Sequence, residues 1–339
     1  MSDIPLEDHA FLSDCHSAAL VTRAGSVDWL CFPRFDAPSV FARLLDDDAG
    51  HLLTRPVGDA EVTRRYLDDS LVLETTFTTS TGTVVLTDAL ALRADDSGHQ
   101  LGSGAPHALL RRLRCTEGRV EVEVVFAPRP EYGLTRPLLV PVEGGVLTRG
   151  APAALALWIE LPLDTGRSQA EGRATLVAGQ ELTIAQQWAR AWEGEPARWR
   201  PEEVVARLAD TTAAWQRWAA EHQRYEGPWR ELVRCSGRVL QGLTFQPTGA
   251  VVAAATTSQA GGTAGRYGSA TAPTTRSSST STARCSPPWP GCATSSVTST
   301  TPRAGSCASS PRPPSTAGSS AIRASGRSAA ARSTCSTPS

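Results

Sequence analysis

The sequence predicts a mainly β protein: a large antiparallel β-sandwich (a supersandwich), followed by two helices and a tail of different character. From Ala18 to about Trp188, short apolar runs with period-two alternation are punctuated by Gly, Pro and Asp. Helical spacing first becomes clear at Pro201. Residues 260–339 contain no Asp, Glu, Lys, Leu, Phe, His, Asn, Gln or Met. Such a stretch lacks the large apolar side chains that offset the entropy of ordering a chain, so it is expected to be disordered.

Within the β region, Val120-Glu121-Val122-Glu123-Val124 is the clearest half-buried strand, because every second side chain can face a core while the glutamates stay in water. Ala18–Thr22 and Ser26–Leu30 flank Arg23-Ala24-Gly25, and Leu71–Thr78 and Val84–Leu90 flank Ser80-Thr81-Gly82. Both pairs are predicted hairpins with Gly at the tight turn. Ala108–Arg114, Pro137–Val142, Ala154–Leu161 and Thr175–Gln186 are further strands. About ten strands with little helix between them suggest a sandwich.

Pro201 suits the first turn of a helix, with Glu202 and Glu203 beside its positive end. Val204, Leu208, Thr212, Trp215 and Ala219 then share one stripe. A second helix opens at Pro228 and lines up Trp229, Leu232, Val233, Ser236, Val239, Leu240 and Leu243, so it is expected to pack deeply. Trp188, Trp192, Trp199, Trp215, Trp218 and Trp229 could stack on sugar rings. The helical ones lie on the apolar stripes, which favours core packing for them.

The chain has 339 residues and net charge −1. Residues 1–259 carry −9 and the rest +8, from eight scattered Arg. An acidic body argues against a nucleic-acid partner, which needs clustered basic side chains to displace counterions. Met1–Ala10 has no apolar signal core, and no run approaches the roughly 18 apolar residues of a membrane span, so a cytoplasmic protein without membrane contact is expected. Cys15, Cys31, Cys115 and Cys235, and Cys285, Cys292, Cys307 and Cys335 in the tail, include no Cys-x-x-Cys pair; the first four are expected to be free thiols.

Three segments carry a resemblance. They are Ile4-Pro5-Leu6-Glu7-Asp8-His9-Ala10, then Ala18–Val21 through Ser26-Val27-Asp28-Trp29-Leu30-Cys31-Phe32-Pro33-Arg34-Phe35-Asp36-Ala37-Pro38-Ser39-Val40-Phe41, and Pro247-Thr248-Gly249-Ala250-Val251-Val252-Ala253-Ala254-Ala255-Thr256-Thr257-Ser258. In content, order and separation they resemble the bacterial branch of glycoside hydrolase family 15, of trehalase or glucoamylase type. The resemblance implies a β-sandwich, a linker helix and an (α/α)6 barrel. It places the sandwich at 1–195, the linker helix at 196–224, the first helix of an incomplete barrel at 225–258 and a low-complexity tail at 259–339. It also implies inverting hydrolysis of α-glucosidic bonds in trehalose or short α-glucans, with no organic cofactor. One glutamic acid would protonate the leaving oxygen and a second glutamate would activate water from the opposite face.

No catalytic residue can be assigned here, because no Asp or Glu follows Glu231. Where the family resembles Asn-Trp-Asp-Tyr-Arg-x-x-Trp-Leu-Arg-Asp, this chain has Gly262–Thr271. A frameshift accounts for both the break and the composition, since GC-rich coding DNA read out of phase yields mostly Ala, Arg, Pro, Ser, Thr and Gly. One permitted codon choice for Gly261–Thr271, read from its third base, spells Trp-Asp-Cys-Arg-Pro-Val-Trp-Leu-Arg-Asp. On this reading the chain is truncated and inactive. The alternatives are a genuine flexible tail on a stand-alone carbohydrate-binding or scaffold sandwich, and a nonfunctional fragment whose second helix exposes its apolar stripe.

The candidate substrate-binding residues are Asp28, Trp29, Arg34 and Asp36, in a segment that would present charged groups to a sugar at the sandwich–barrel junction. The same residues could instead pair among themselves and fix the loop. His9, Cys15 and His16, near Asp8 and Asp14, match no familiar metal-ligand spacing and are read as structural, so no metal is assigned. Asp46-Asp47-Asp48-Ala49-Gly50 lacks the alternating ligands of a calcium loop, and Gly102-Ser103-Gly104 lacks the strand-to-helix setting of a phosphate loop. No Gly-x-Ser-x-Gly elbow occurs. Oligomeric state is not legible.

Overall fold

The computed structural model describes residues 4–166 and 168–256. The expected tail at 259–339 lies outside the described residues. In chain order the strands begin with β1 (Ala10–Ser13), β2 (Ala18–Val21), β3 (Ser26–Cys31), β4 (Ser39–Phe41), β5 (His51–Pro56), β6 (Glu61–Tyr66), β7 (Leu73–Thr78) and β8 (Gly82–Leu90). They continue with β9 (Ala108–Ala127), β10 (Leu138–Val142), β11 (Gly145–Arg149), β12 (Ala153–Ile159), β13 (Asp164–Thr165), β14 (Ala170–Val177) and β15 (Glu181–Arg190). Helices α1 (Pro201–His222) and α2 (Arg230–Gly242) follow, then a small hairpin of β16 (Thr244–Phe245) and β17 (Ala250–Val251).

All fifteen strands of the main sheet join antiparallel through β9. Its first half, Ala108–Arg114, pairs with β8 on one side and β15 on the other, while Arg119–Ala127 pairs with β14 and β5. A bend at Gly118, whose φ is +67°, lets the strand leave one layer for the other. One layer therefore contains β1, β2, β3, β4, β5, β13 and β14, and the other β6, β7, β8, β10, β11, β12 and β15. Leu30, Phe41, Leu52, Val124 and Phe126 from the first meet Phe77, Leu86, Leu113, Leu155 and Ile184 from the second in one buried core. That is the two-layer logic of a sandwich, in which each sheet hides its apolar face against the other.

The second layer is covered on its outer face as well. Val204 and Leu208 of α1 pack on Ala89, Leu110, Ala156 and Trp158, the opposite parity from the sandwich core. Further along α1, Ala214, Trp215, Trp218 and Ala219 close over Leu71, Leu92 and Leu101. The helix starts where the proline predicts, and Glu203 accepts a hydrogen bond from the Arg200 amide at 2.9 Å. Thr211, rather than Thr212, is the buried threonine; its hydroxyl accepts from the Leu92 amide at 3.0 Å.

Four expectations are corrected. Ala108–Arg114 and Val120–Val124 are a single strand, because the exposed polar run between them bends without breaking the ladder. Thr175–Gln186 is instead the end of β14, a turn at Gly179 (φ +89°) and the start of β15; the turn is so short that the two strand ends read as one run. In the β7–β8 hairpin Gly82 already pairs with Gly118, and the turn is held by the Thr79 hydroxyl, which donates to Gly82 O at 2.8 Å. The largest correction concerns α2, which does not pack deeply. Trp229, Leu232, Val233, Ser236 and Leu240 are exposed, Val239 and Leu243 are half-buried, and the face turned to the sandwich carries Arg234 and Arg238. Those arginines reach Asp69 at 3.2 and 3.1 Å, so ion pairs rather than apolar contacts set how the helix sits.

Candidate functional site

The end of the sandwich where the chain leaves α2 gathers the β1–β2 turn, the β3–β4 loop and the β16–β17 hairpin. Strand β3 enters this region through a bulge: Val27 pairs with Val21 and Trp29 with Leu20, leaving Asp28 as the extra residue. The bulge turns Asp28 under the 41–50 loop, where its carbonyl accepts from the Leu44 amide at 3.1 Å. Its carboxylate accepts from the Ser26 hydroxyl and stands 3.9 Å from His9 Nε2. Burial pushes this carboxyl up, but the nearby His9 ring, the Ser26 hydroxyl and the Arg43 charge outweigh it and hold it below the usual carboxylate range.

Trp29 is buried and donates from its indole nitrogen to Ala255 O at 3.1 Å. It thereby ties the last described residues to the sandwich. Past β3 the chain turns outward. Arg34 and Asp36 form a two-pronged pair, both bonds 2.9 Å, with about half of each side chain in water. Between them Phe35 points inward against Phe245, ring centroids 6.5 Å apart.

The four predicted residues therefore divide. Arg34 and Asp36 are together and accessible, whereas Asp28 and Trp29 lie inside, each with a protein partner. An exposed pair of this kind contributes little stability, because water and salt screen it. Its hydrogen-bonding atoms remain open to exchange for a polyhydroxyl ligand. Arg43, Tyr132 and Phe245 complete the surroundings and were missed in the sequence, since nothing in their local pattern signals proximity to β3.

The other singled-out residues also have structural surroundings. Asp14 Oδ1 accepts from the amides of His16 and Ser17 at 2.9 and 2.6 Å, fixing the β1–β2 turn. Cys15, Cys31 and Cys115 are buried and Cys235 exposed, all as free thiols; the tail cysteines lie outside the described residues. Asp46–Asp48 form an exposed turn with Asp46 accepting from the Asp48 amide, and Gly102 donates to the Asp96 carboxylate at 3.1 Å. Among the described residues no group of three or more His, Cys, Asp or Glu is arranged to hold a metal ion. No described helix is long and apolar enough to cross a membrane.

A two-sheet antiparallel sandwich, with a helix on one layer and a second helix ending at its loop-lined end, defines the class of fold. Residues 1–184 match the family model described as "Trehalase-like, N-terminal". The trehalase of Mycolicibacterium smegmatis is 35% identical over 275 residues, covering 75% of this chain and 40% of that protein. The trehalase of Mycobacterium tuberculosis is 34% identical over 272 residues, covering 75% and 39%. A solved bacterial glucoamylase complexed with acarbose matches with a TM-score of 0.46 at 8% identity, covering 70% of this chain and 40% of that one. The chain belongs to the trehalase-like N-terminal family. It spans about two fifths of the length of the curated relatives it matches.

Proposed function

We propose that this chain is the N-terminal β-domain, linker helix and barrel entry of an inverting glycosidase that cleaves α-glucosidic bonds in trehalose or short α-glucans, and that the chain alone is inactive. The carrying observation is the outward apolar stripe of α2, Trp229, Leu232, Val233 and Leu240, in a family whose relatives extend well beyond the matched part. A stripe of that size is expected to be covered in the whole enzyme. The boundaries 1–195, 196–224 and 225–258 are the proposed sandwich, linker and start of the (α/α)6 barrel, with the cytoplasm as the compartment.

In this reading Arg34 and Asp36 reach the sugar at the junction, while Asp28 and Trp29 position their loop. Inversion needs one carboxylic acid to protonate the leaving oxygen and one carboxylate to take a proton from the attacking water. No Asp or Glu follows Glu231, so both groups would have to come from a continuation encoded in the other reading phase beyond Ser258. The purified 339-residue product is expected to release no glucose from trehalose or maltose. The same assay on a chain with the phase restored near codons 258–262 is expected to release it. Glucose from the 339-residue product, or a stop codon soon after 258 in the restored phase, overturns the proposal. Glucan binding with no turnover by the restored chain favours a carbohydrate-binding sandwich instead.

A further inference from the structure

One face of α2 is bare of charge. Between Glu231 and Ser258 the only charged side chains are Arg234 and Arg238, and Asp69 holds both against the sandwich, with 16% and 11% of them exposed. The opposite face shows water Trp229, Leu232, Val233, Ser236 and Leu240, with Val239 and Leu243 half-buried along it. A contiguous apolar patch depleted of charge has the composition of an interface core.

The face is also symmetric. Counted from Ser236, Val233 and Val239 stand three residues away on either side, Leu232 and Leu240 four, and Trp229 and Leu243 seven. These are the spacings of one helix face. A second α2 laid antiparallel about Ser236 therefore sets Leu232 of each copy against Leu240 of the other, and Val233 against Val239. Ser236, the small residue at the crossing, lets the two axes approach to about 8–10 Å.

Charge does not oppose this arrangement. Arg230 comes opposite Gly242, and Glu231 opposite Gln241. The one like-charged match, Arg234 with Arg238, lies on the sandwich side, where both bond to Asp69. Residues 257–339 offer little that could compete for the stripe, with no Leu, Phe or Met and one each of Val, Ile, Tyr and Trp.

We propose that in the 339-residue chain the α2 stripe is the interface of an antiparallel homodimer whose two-fold axis passes at Ser236. The inference rests on the reading above, in which the barrel helices that cover the stripe are missing from this chain. A contact that uses the same patch on both copies closes with two, so it gives dimers and not fibres. A helix of 13 residues is about 20 Å long, which keeps the interface below about 1,200 Å² and the pairing reversible. Dilute protein therefore keeps the stripe in water.

Sedimentation velocity of the 339-residue chain, from about 1 to about 200 µM, is expected to show monomer passing to dimer and no further. Leu232 and Leu240 are 64% and 58% exposed, so a charge at either leaves the fold intact. Leu232→Glu alone and Leu240→Lys alone each spoil two contacts per dimer, and each is expected to weaken pairing by about tenfold or more. An equimolar mixture of the two variants is expected to pair again, because the antiparallel register brings the new acid of one copy to the new base of the other. The proposal is overturned by a mass that stays monomeric, including a monomer whose own tail closes the stripe to an apolar dye. It is equally overturned by a mass that climbs past dimer, a dimer indifferent to both substitutions, or a mixture that pairs no better than its components. Glucose release by the phase-restored chain is a separate measurement, so either reading can fail without the other.

Discussion

Arg111 sits at zero exposure in the sandwich core, on the same face of β9 as Leu109 and Leu113. All its donors are spent: Nε and Nη2 on Asp88 at 2.8 and 3.2 Å, Nη1 on Leu52 O and Thr54 Oγ1, and Nη2 also on Gly25 O. The guanidinium thus links the two layers. Gly25, whose carbonyl it binds, has no room for a side chain: a Cβ there would approach Thr54 O to 2.3 Å, and φ is +76°. Removing one partner leaves a buried charge uncompensated, so Arg111→Met is expected to cost about 3–5 kcal/mol in urea unfolding. A double replacement, Arg111→Met with Asp88→Leu, is expected to recover much of that loss, because no charge remains to desolvate. His51 offers a second test at this scale. Burial, then the Arg43 charge, lowers its imidazole to about 4. Its folded value lies below its unfolded one, so the stability it contributes is present above about 6.5 and lost as pH falls towards 4. His51→Asn is expected to flatten the acid side of a stability–pH curve.

The two helices, read as similar amphipathic elements, meet opposite fates. Helix α1 buries Trp215 completely and Trp218 nearly so, their rings edge-on at 5.9 Å. Trp215→Ala is expected to lower stability by about 3–5 kcal/mol, read by chemical denaturation. Helix α2 turns its stripe to water, with Leu232 at 64% exposure. Leu232→Glu is therefore expected to change stability by less than about 0.5 kcal/mol while reducing binding of an apolar dye. A large loss of stability would mean that the stripe is covered within this chain. The tryptophans divide in the same way. Trp215 and Trp218 are core residues, Trp229 is exposed, and Trp199 lies under the Arg207 guanidinium at 3.9 Å.

Across the molecule, one strand carries the architecture. Because β9 belongs to both layers, the sandwich cannot be split into independent sheets, and the bend at Gly118 is expected to be sensitive. There a Cβ would approach Thr81 O to 2.1 Å, so Gly118→Val is expected to lower the thermal midpoint by several degrees in calorimetry and to broaden the transition. Edges are protected by composition: β6, paired only through β7, presents the charged side chains of Glu61 and Arg65.

The sequence by itself determined the fold class, the place where strands give way to helices, the first turn of α1 and the family, because alternation, proline position and motif wording are local properties of the chain. It also revealed that no Asp or Glu follows Glu231, a fact of composition alone. Only the tertiary structure decided that two predicted strands are one, that Asp28 and Trp29 face inward while Arg34 and Asp36 face out, and that the stripe of α2 faces water. Each of these depends on which distant segment supplies the partner: β8 and β15 for β9, Ala255 for Trp29, Asp69 for Arg234 and Arg238. A periodic pattern reports that a face is apolar, but what covers that face is set by contacts far apart in the chain.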